Sequence, residues 1–198
     1  MKDLIHQNNG QFGNKHFKME QGYLKIDEVG NKFWYDEDER HYRDDGPAFE
    51  FYNGDKHWFQ HGKRHRVGGP AVVSANGYQE WFQHNKLHRE DGPAIEWTNG
   101  TKEWYQHGNL HREDGPAIEF ASGTKYWYQQ DQFHRETGPA VEDSNEYKVW
   151  YRHGERHRED GPAIEWGDGT KEWWIKGQQL EISSQEEFER MMKLKPFW

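Results

Sequence analysis

The 198-residue sequence contains no cysteine. That excludes disulfides, thiolate catalysis and cysteine-ligated zinc in one step, and it fits a reducing compartment. Long apolar runs are missing too. None approaches the roughly 18 to 20 residues of a membrane-spanning helix, and the polar start MKDLIHQNNG lacks the apolar stretch of a secretory signal. The expectation is a soluble, cytoplasmic chain without membrane insertion. Positive charge is in short supply, with 26 Lys and Arg against 35 Asp and Glu and a formal net charge of −9. Nucleic acid and anionic lipid select for basic patches, so neither is an expected partner. Aliphatic residues are also few: hydrophobic residues make up 32% of the chain, and Trp, Tyr and Phe alone 16%. Apolar surface concentrated in rings suits a thin fold rather than a thick aliphatic core. The 13 histidines make the net charge sensitive to pH near their ordinary pKa of about 6.5.

Proline is confined to one context. Six of the seven prolines follow glycine, at Gly46, Gly69, Gly92, Gly115, Gly138 and Gly161, and every interval is 23 residues. Twelve residues after each of these glycines stands Trp58, Trp81, Trp104, Trp127, Trp150 or Trp173, followed by a second ring. A period this regular defines a repeat architecture before any motif is weighed. A degenerate copy precedes these, with Gly22, Gly30, Trp34 and Tyr35 at matching places; the spacing from Trp34 to Trp58 is 24, and Tyr42 reads as the inserted residue.

Within a unit, segments such as PAIEW and KEWYQH alternate apolar and polar residues and are rich in β formers, joined by turn sequences such as TNGT. Asn-Gly at Asn53, Asn76 and Asn99 predicts a tight turn with positive dihedrals, and a second turn falls at His61-Gly62, His107-Gly108 and His153-Gly154. Each unit is therefore expected to supply two antiparallel strands. A two-residue turn sets Glu96 opposite Glu103, whereas a bulged turn sets it opposite Lys102; avoidance of like charges favours the bulge. The ring positions, with Phe49, Val72, Ile95, Ile118, Val141 and Ile164, are the expected packed stripe. Near the end, Ser184 and Glu187 have capping-box spacing, and Phe188, Met191 and Met192 share a helical face. The fold class read from this pattern is all-β: an elongated antiparallel β-hairpin meander of about seven 23-residue units with a short C-terminal capping helix. Residues 1–21 read as an N-terminal cap or degenerate repeat, 22–180 as the repeats and 181–198 as the capping helix.

The unit NGTKEWYQHGNLHREDGPAIEW, with its aromatic pair and glycine turns, resembles a divergent MORN-type repeat, closest to the variant form seen in bacterial antitoxin-like and phage proteins. The resemblance covers roughly residues 22–180. It implies a binding or scaffolding surface, and an inhibitory or antitoxin-like role. MORN proteins that catalyse carry a separate catalytic domain, so the resemblance also implies that this chain is not an enzyme.

The string HREDGPAIEW, at residues 88–97 and again at 157–166, offers a histidine, an arginine and two acids beside a turn. Recurrence of Arg43, Arg66, Arg89, Arg112, Arg135 and Arg158 in successive hairpins, at a separation of roughly 9 to 10 Å, suits a ladder of Arg–carboxylate braces rather than one catalytic cluster. The same spacing keeps histidines of different copies too far apart to share a metal, so neither a metal nor a cofactor is expected. The acidic run from Asp36 to Arg40 reads as a solvated loop.

If the consensus is scaffold, partner information lies where a copy departs from it. HRVGGPAVVS places Val67, Val72 and Val73 at sites of Glu, Ile and Glu, and QQDQFHRETGPAVED introduces Gln130, Asp131, Thr137 and Asp143. These are the candidate residues for a protein partner. An alternative reading is a small-molecule or anion binder that uses Arg66, Arg89, Arg112, Arg135 and Arg158 with the slots between Tyr105, Tyr128 and Tyr151. A peripheral lipid scaffold ranks third, against the acidic balance.

Overall fold

The computed structural model describes residues 15–19 and 22–194. Two compact units divide the chain, Met1–Thr98 and Asn99–Trp198, and no composition break marks the division. In the first unit, β1 (Lys15–Met19), β2 (Gly22–Ile26) and β3 (Lys32–Tyr35) form an antiparallel meander. Two-residue strands continue it in chain order at Phe49–Glu50, Lys56–His57, Val72–Val73, Gln79–Glu80 and Ile95–Glu96. In the second unit the order runs Lys102–Glu103, Ile118–Glu119, Lys125–Tyr126, Val141–Glu142, Lys148–Val149, Ile164–Glu165 and Lys171–Glu172, again antiparallel throughout. The all-β hairpin meander read from the sequence is the fold. Most of the expected cap at residues 1–21 lies outside the described residues, apart from β1.

The bulged register is the one found. Glu50 faces Lys56, Glu119 faces Lys125 and Glu165 faces Lys171. In the loop 51–55, the Gly54 N–H donates to the Phe51 carbonyl at 2.9 Å and the Phe51 N–H to Asp55 at 2.9 Å. Only Gly54 takes a positive φ, +95°, so this is a three-residue loop with a glycine bulge, and the expected tight Asn-Gly turn is corrected. Asn53 acts through its side chain instead, accepting the Asp55 N–H at 3.1 Å. Tight turns with two positive φ values occur at the second site, as at His61 (48°) and Gly62 (75°).

That tight turn closes a second hairpin in each unit, which the two-strand expectation missed. Phe59–Gln60 pairs with Lys63–Arg64, Phe82–Gln83 with Lys86–Leu87, and Tyr128–Gln129 with Gln132–Phe133. The backbone leaves the main meander at Trp58, whose N–H donates to the Ala71 carbonyl at 2.8 Å. A fully buried alanine stands at each such crossing: Ala48, Ala71, Ala94, Ala117, Ala140 and Ala163 are each 0% exposed.

The inserted residue of the first copy is also elsewhere than expected. Tyr35 bridges His41 and the Asp36 N–H donates to the Arg40 carbonyl, so the extra residue lies in the turn 37–39, where Glu39 has φ 59°. Tyr42 fills a histidine slot: its ring stacks on His61 at 5.2 Å, as His65 stacks on His84 at 4.5 Å. The acidic run is spent locally, Asp36 accepting from the Asp38 and Arg40 amides and pairing with the Arg40 guanidinium.

Packing differs between the units. The second is centred on Val141, Val149 and Ile164, surrounded by Tyr126, Phe133, Tyr147, Tyr151, Trp166 and Trp174. The first has an aromatic cluster in which Phe33, Phe51 and His41 present edges to neighbouring rings around Phe49. Of the expected stripe, Val72, Ile95, Val141 and Ile164 are buried, while Phe49 and Ile118 are half-buried. Of the ring positions in the stripe, Trp34 and Trp173 are buried, and Trp58, Trp81, Trp104, Trp127 and Trp150 are half-buried. The helix α1 (Gln185–Lys193) starts at Ser184, whose hydroxyl accepts the Glu187 N–H at 3.2 Å, and it buries Phe188. Residues 181–184 precede the helix and 195–198 lie outside the described residues. No helix is long and apolar enough to cross a membrane among the described residues.

Candidate functional site

The arginines of the repeat do lie in braces. Each guanidinium covers the tryptophan of its own copy, with ring distances of 4.0 Å for Arg89 on Trp81, 4.1 Å for Arg112 on Trp104 and 3.9 Å for Arg158 on Trp150. Arg89 Nε donates to Asp91 at 2.9 Å and its Nη1 to Glu96 at 3.0 Å and to the Pro93 carbonyl at 3.1 Å. Arg112 and Arg158 repeat all three bonds on Asp114, Glu119 and Pro116, and on Asp160, Glu165 and Pro162. Glycine leaves room for the guanidinium beneath: a Cβ on Gly92 meets the Arg89 guanidinium carbon at 2.9 Å, so a larger residue displaces the arginine. The letters R, E/D, G, P and A thus have structural tasks in the Arg89, Arg112 and Arg158 copies.

Histidine supplies a further link. His65, His134 and His157 accept through Nδ1 the backbone N–H of His84, His153 and Lys176, each in the next tight turn. The expectation that histidines of different copies stay apart is therefore corrected, because residues 19 apart meet: His134 lies 4.5 Å from His153, as His65 does from His84. Period alone measured equivalent positions, whereas the second hairpin of one copy reaches back to its predecessor. Burial, with His84 alongside, pulls the His65 pKa below its ordinary value. Among the described residues no group of three or more His, Asp or Glu side chains is placed to hold a metal ion.

Several deviating residues turn out to have local tasks. Asp131 (φ 63°) and Gln130 (φ 50°) form a tight turn, and the Asp131 carboxylate accepts the Leu110 N–H at 2.7 Å. Asn85 does the same for the Arg64 N–H at 2.6 Å. Asp143 closes its own loop, accepting from the Asn145 N–H and the Thr124 hydroxyl, while Thr137 is exposed. Val72 is 5% exposed and belongs to the core. The slot between Tyr128 and Tyr151 is filled as well. Phe133 lies between Tyr128 at 4.2 Å and Tyr151 at 5.0 Å, burial pushes the Tyr128 phenol up to about 12, and the Tyr105 hydroxyl donates to Glu103.

What remains is the Arg66 copy. Val67, Gly68 and Val73 stand where the Arg89 copy has Glu90, Asp91 and Glu96. All three carboxylates are gone at once, and sequence reading alone noted only the two valines that replace glutamates. Arg66 nevertheless keeps its place, 3.9 Å above Trp58, with Nη1 donating to the Pro70 carbonyl at 3.1 Å and its guanidinium carbon 3.1 Å from a Cβ built on Gly69. Burial pulls its pKa below the usual arginine range. Val73 is half-buried in its strand between Lys56 and Gln79, and Val67 is 86% exposed. An open cleft of about 510 Å³ adjoins them, lined by Tyr42, Asp44, Trp58, Phe59, Arg66 and Val67 among others.

No protein-family model matches the chain, and no curated protein matches it.

Proposed function

We propose that this chain is a non-enzymatic repeat scaffold that binds a protein partner through the face of its first unit around residues 65–73. The observation that carries the reading is Val67: a large aliphatic side chain 86% exposed at a position where the other complete copies place Glu or Asp, beside a cleft. In the other irregular copy Gln130, Asp131 and Asp143 have local structural tasks, which leaves the face around Val67 as the stronger departure from the repeat. The resemblance to variant MORN-type repeats supports an inhibitory, antitoxin-like role for a cytoplasmic protein of bacterial or phage type. Capture from a lysate with the wild-type chain and with Val67→Glu tests it. One dominant protein retained by the wild type and lost by the variant is the expected result, and equal retention by both counts against it.

A small anion is the second reading, favoured by the guanidinium of Arg66, which has no carboxylate partner among the described residues. It predicts a melting temperature that rises with a metabolite carboxylate or phosphate in the absence of any protein.

A further inference from the structure

In the Arg89 copy, three kinds of group surround the guanidinium: a tryptophan face, a backbone carbonyl, and the carboxylates of Asp91 and Glu96. The Arg66 copy retains the first two and lacks the third. Trp58 and the Pro70 carbonyl hold the side chain where its siblings stand, so the donors left over are already aimed and little rotamer freedom remains to be lost on binding. Among the described residues the bond to Pro70 is the one hydrogen bond of Arg66. Around it the repeat carries one positive charge, whereas the motifs at Arg89, Arg112 and Arg158 each carry a net two negative charges.

We propose that Arg66 takes a carboxylate from an acidic side chain of a protein partner, which completes the brace that Asp91 and Glu96 supply within the Arg89 copy. This rests on the protein-binding reading and adds the chemistry of the partner: an Asp or Glu with an apolar neighbour that covers Val67. A protein source fits the cleft better than a free anion. Asp44 and Asp45 also line the cleft, bonded to the Tyr42 hydroxyl and to Arg43 Nε at 2.8 Å, and their negative charge disfavours a bare anion. A carboxylate delivered on a segment that also buries Val67 is held against that repulsion, and planar bidentate pairing gives the arginine its selectivity for carboxylate.

Selection of a displayed random-peptide library on the intact chain tests this, with Val73→Glu and Arg66→Gln as comparison targets. Val73→Glu is a self-competitor, since it places a carboxylate at the register where Glu96 reaches Arg89. The expected peptides contain Asp or Glu beside an aliphatic or aromatic residue and bind both variants at least tenfold more weakly than the wild type. Changing their acid to the amide weakens binding to the wild type at least tenfold and leaves binding to Arg66→Gln unaltered. Peptides that bind Arg66→Gln and Val73→Glu as well as wild type, yet lose affinity for Val67→Glu, overturn the carboxylate and keep the protein-binding reading. Absence of enrichment overturns both. Saturation of the Arg66 Nε–H NMR signal by sub-millimolar acetate without peptide enrichment assigns the site to a free anion and also overturns the proposal.

Discussion

Arg158 and Arg66 occupy the same place in two copies of one repeat, one in each unit, and the guanidinium carbon lies 3.9 Å from the tryptophan ring in both. Arg158 also has Asp160 at 2.7 Å and Glu165 at 2.8 Å, and Arg66 has neither. Position is therefore fixed by the ring, the proline carbonyl and the glycine beneath. The carboxylates set the local charge. Consistent with this, Asp160 is largely solvent-exposed, and such pairs contribute only about 0.2 to 1 kcal/mol.

The largest effects should come from beneath the braces. Ile164→Ala, at a 2% exposed site, is expected to lower unfolding free energy by about 3 kcal/mol, and Val72→Ala at the matching site by about 2, as one methylene fewer is lost. Denaturant midpoints check this, and a Val72 loss larger than that of Ile164 breaks the view that the two copies pack alike. Next, Arg158→Ala should cost about 2 kcal/mol and Arg66→Ala about 1, since the former loses ion pairs as well as ring contact and carbonyl bond. Equal costs would show that the acids contribute nothing.

A smaller difference is expected with pH. Burial lowers the pKa values of His41, His57 and His65, all in the first unit. A folded pKa below the unfolded value near 6.5 means that the unfolded chain binds the proton more readily. Their stabilisation is complete above about pH 6.5 and is lost as pH falls through the lowered values. Hydrogen exchange at pH 7.5 and 5.5 should show protection falling first around residues 57–65 and 84; earlier loss in the second unit contradicts this. Smallest of all, Val73→Glu should raise stability by about 0.5 kcal/mol by giving Arg66 the partner Glu96 gives Arg89. A loss of more than that would mean the two strands are not equivalent.

Much of the fold was legible because one period fixed the strand order and like-charge avoidance fixed the register of Glu119 against Lys125. The brace was legible from recurrence of the arginine. Turn types were not, because Asn53 can serve a turn through its side chain as well as through a positive φ, and the dipeptide does not distinguish these. Nor were the pairs of His65 with His84 and His134 with His153, since contacts at a separation of 19 depend on the second hairpin. Tyr42 was misread because the sequence offers no sign that a tyrosine takes a histidine slot. At the candidate site, Val67 was visible as an anomaly, whereas Val72 fitted both the packed stripe and the partner surface, and its 5% exposure decides for the core.

The tight turns give the chain a direction of assembly. Asn85 donates its N–H to Arg64, Gly154 to Phe133 and Gly177 to Arg156, while the Asn85 and Asp131 side chains accept from Arg64 and Leu110, so each of these turns is bonded to an earlier copy. Synthesis makes the earlier copy first, so the backbone that receives each tight turn is in place when the turn emerges. Within each unit a newly emerged hairpin can dock on a finished template, one copy at a time, without waiting for distant sequence. The repeat is thereby suited to growth from its N-terminal side, and Glu181, standing where the next arginine would come, marks the point at which the α1 segment ends that growth.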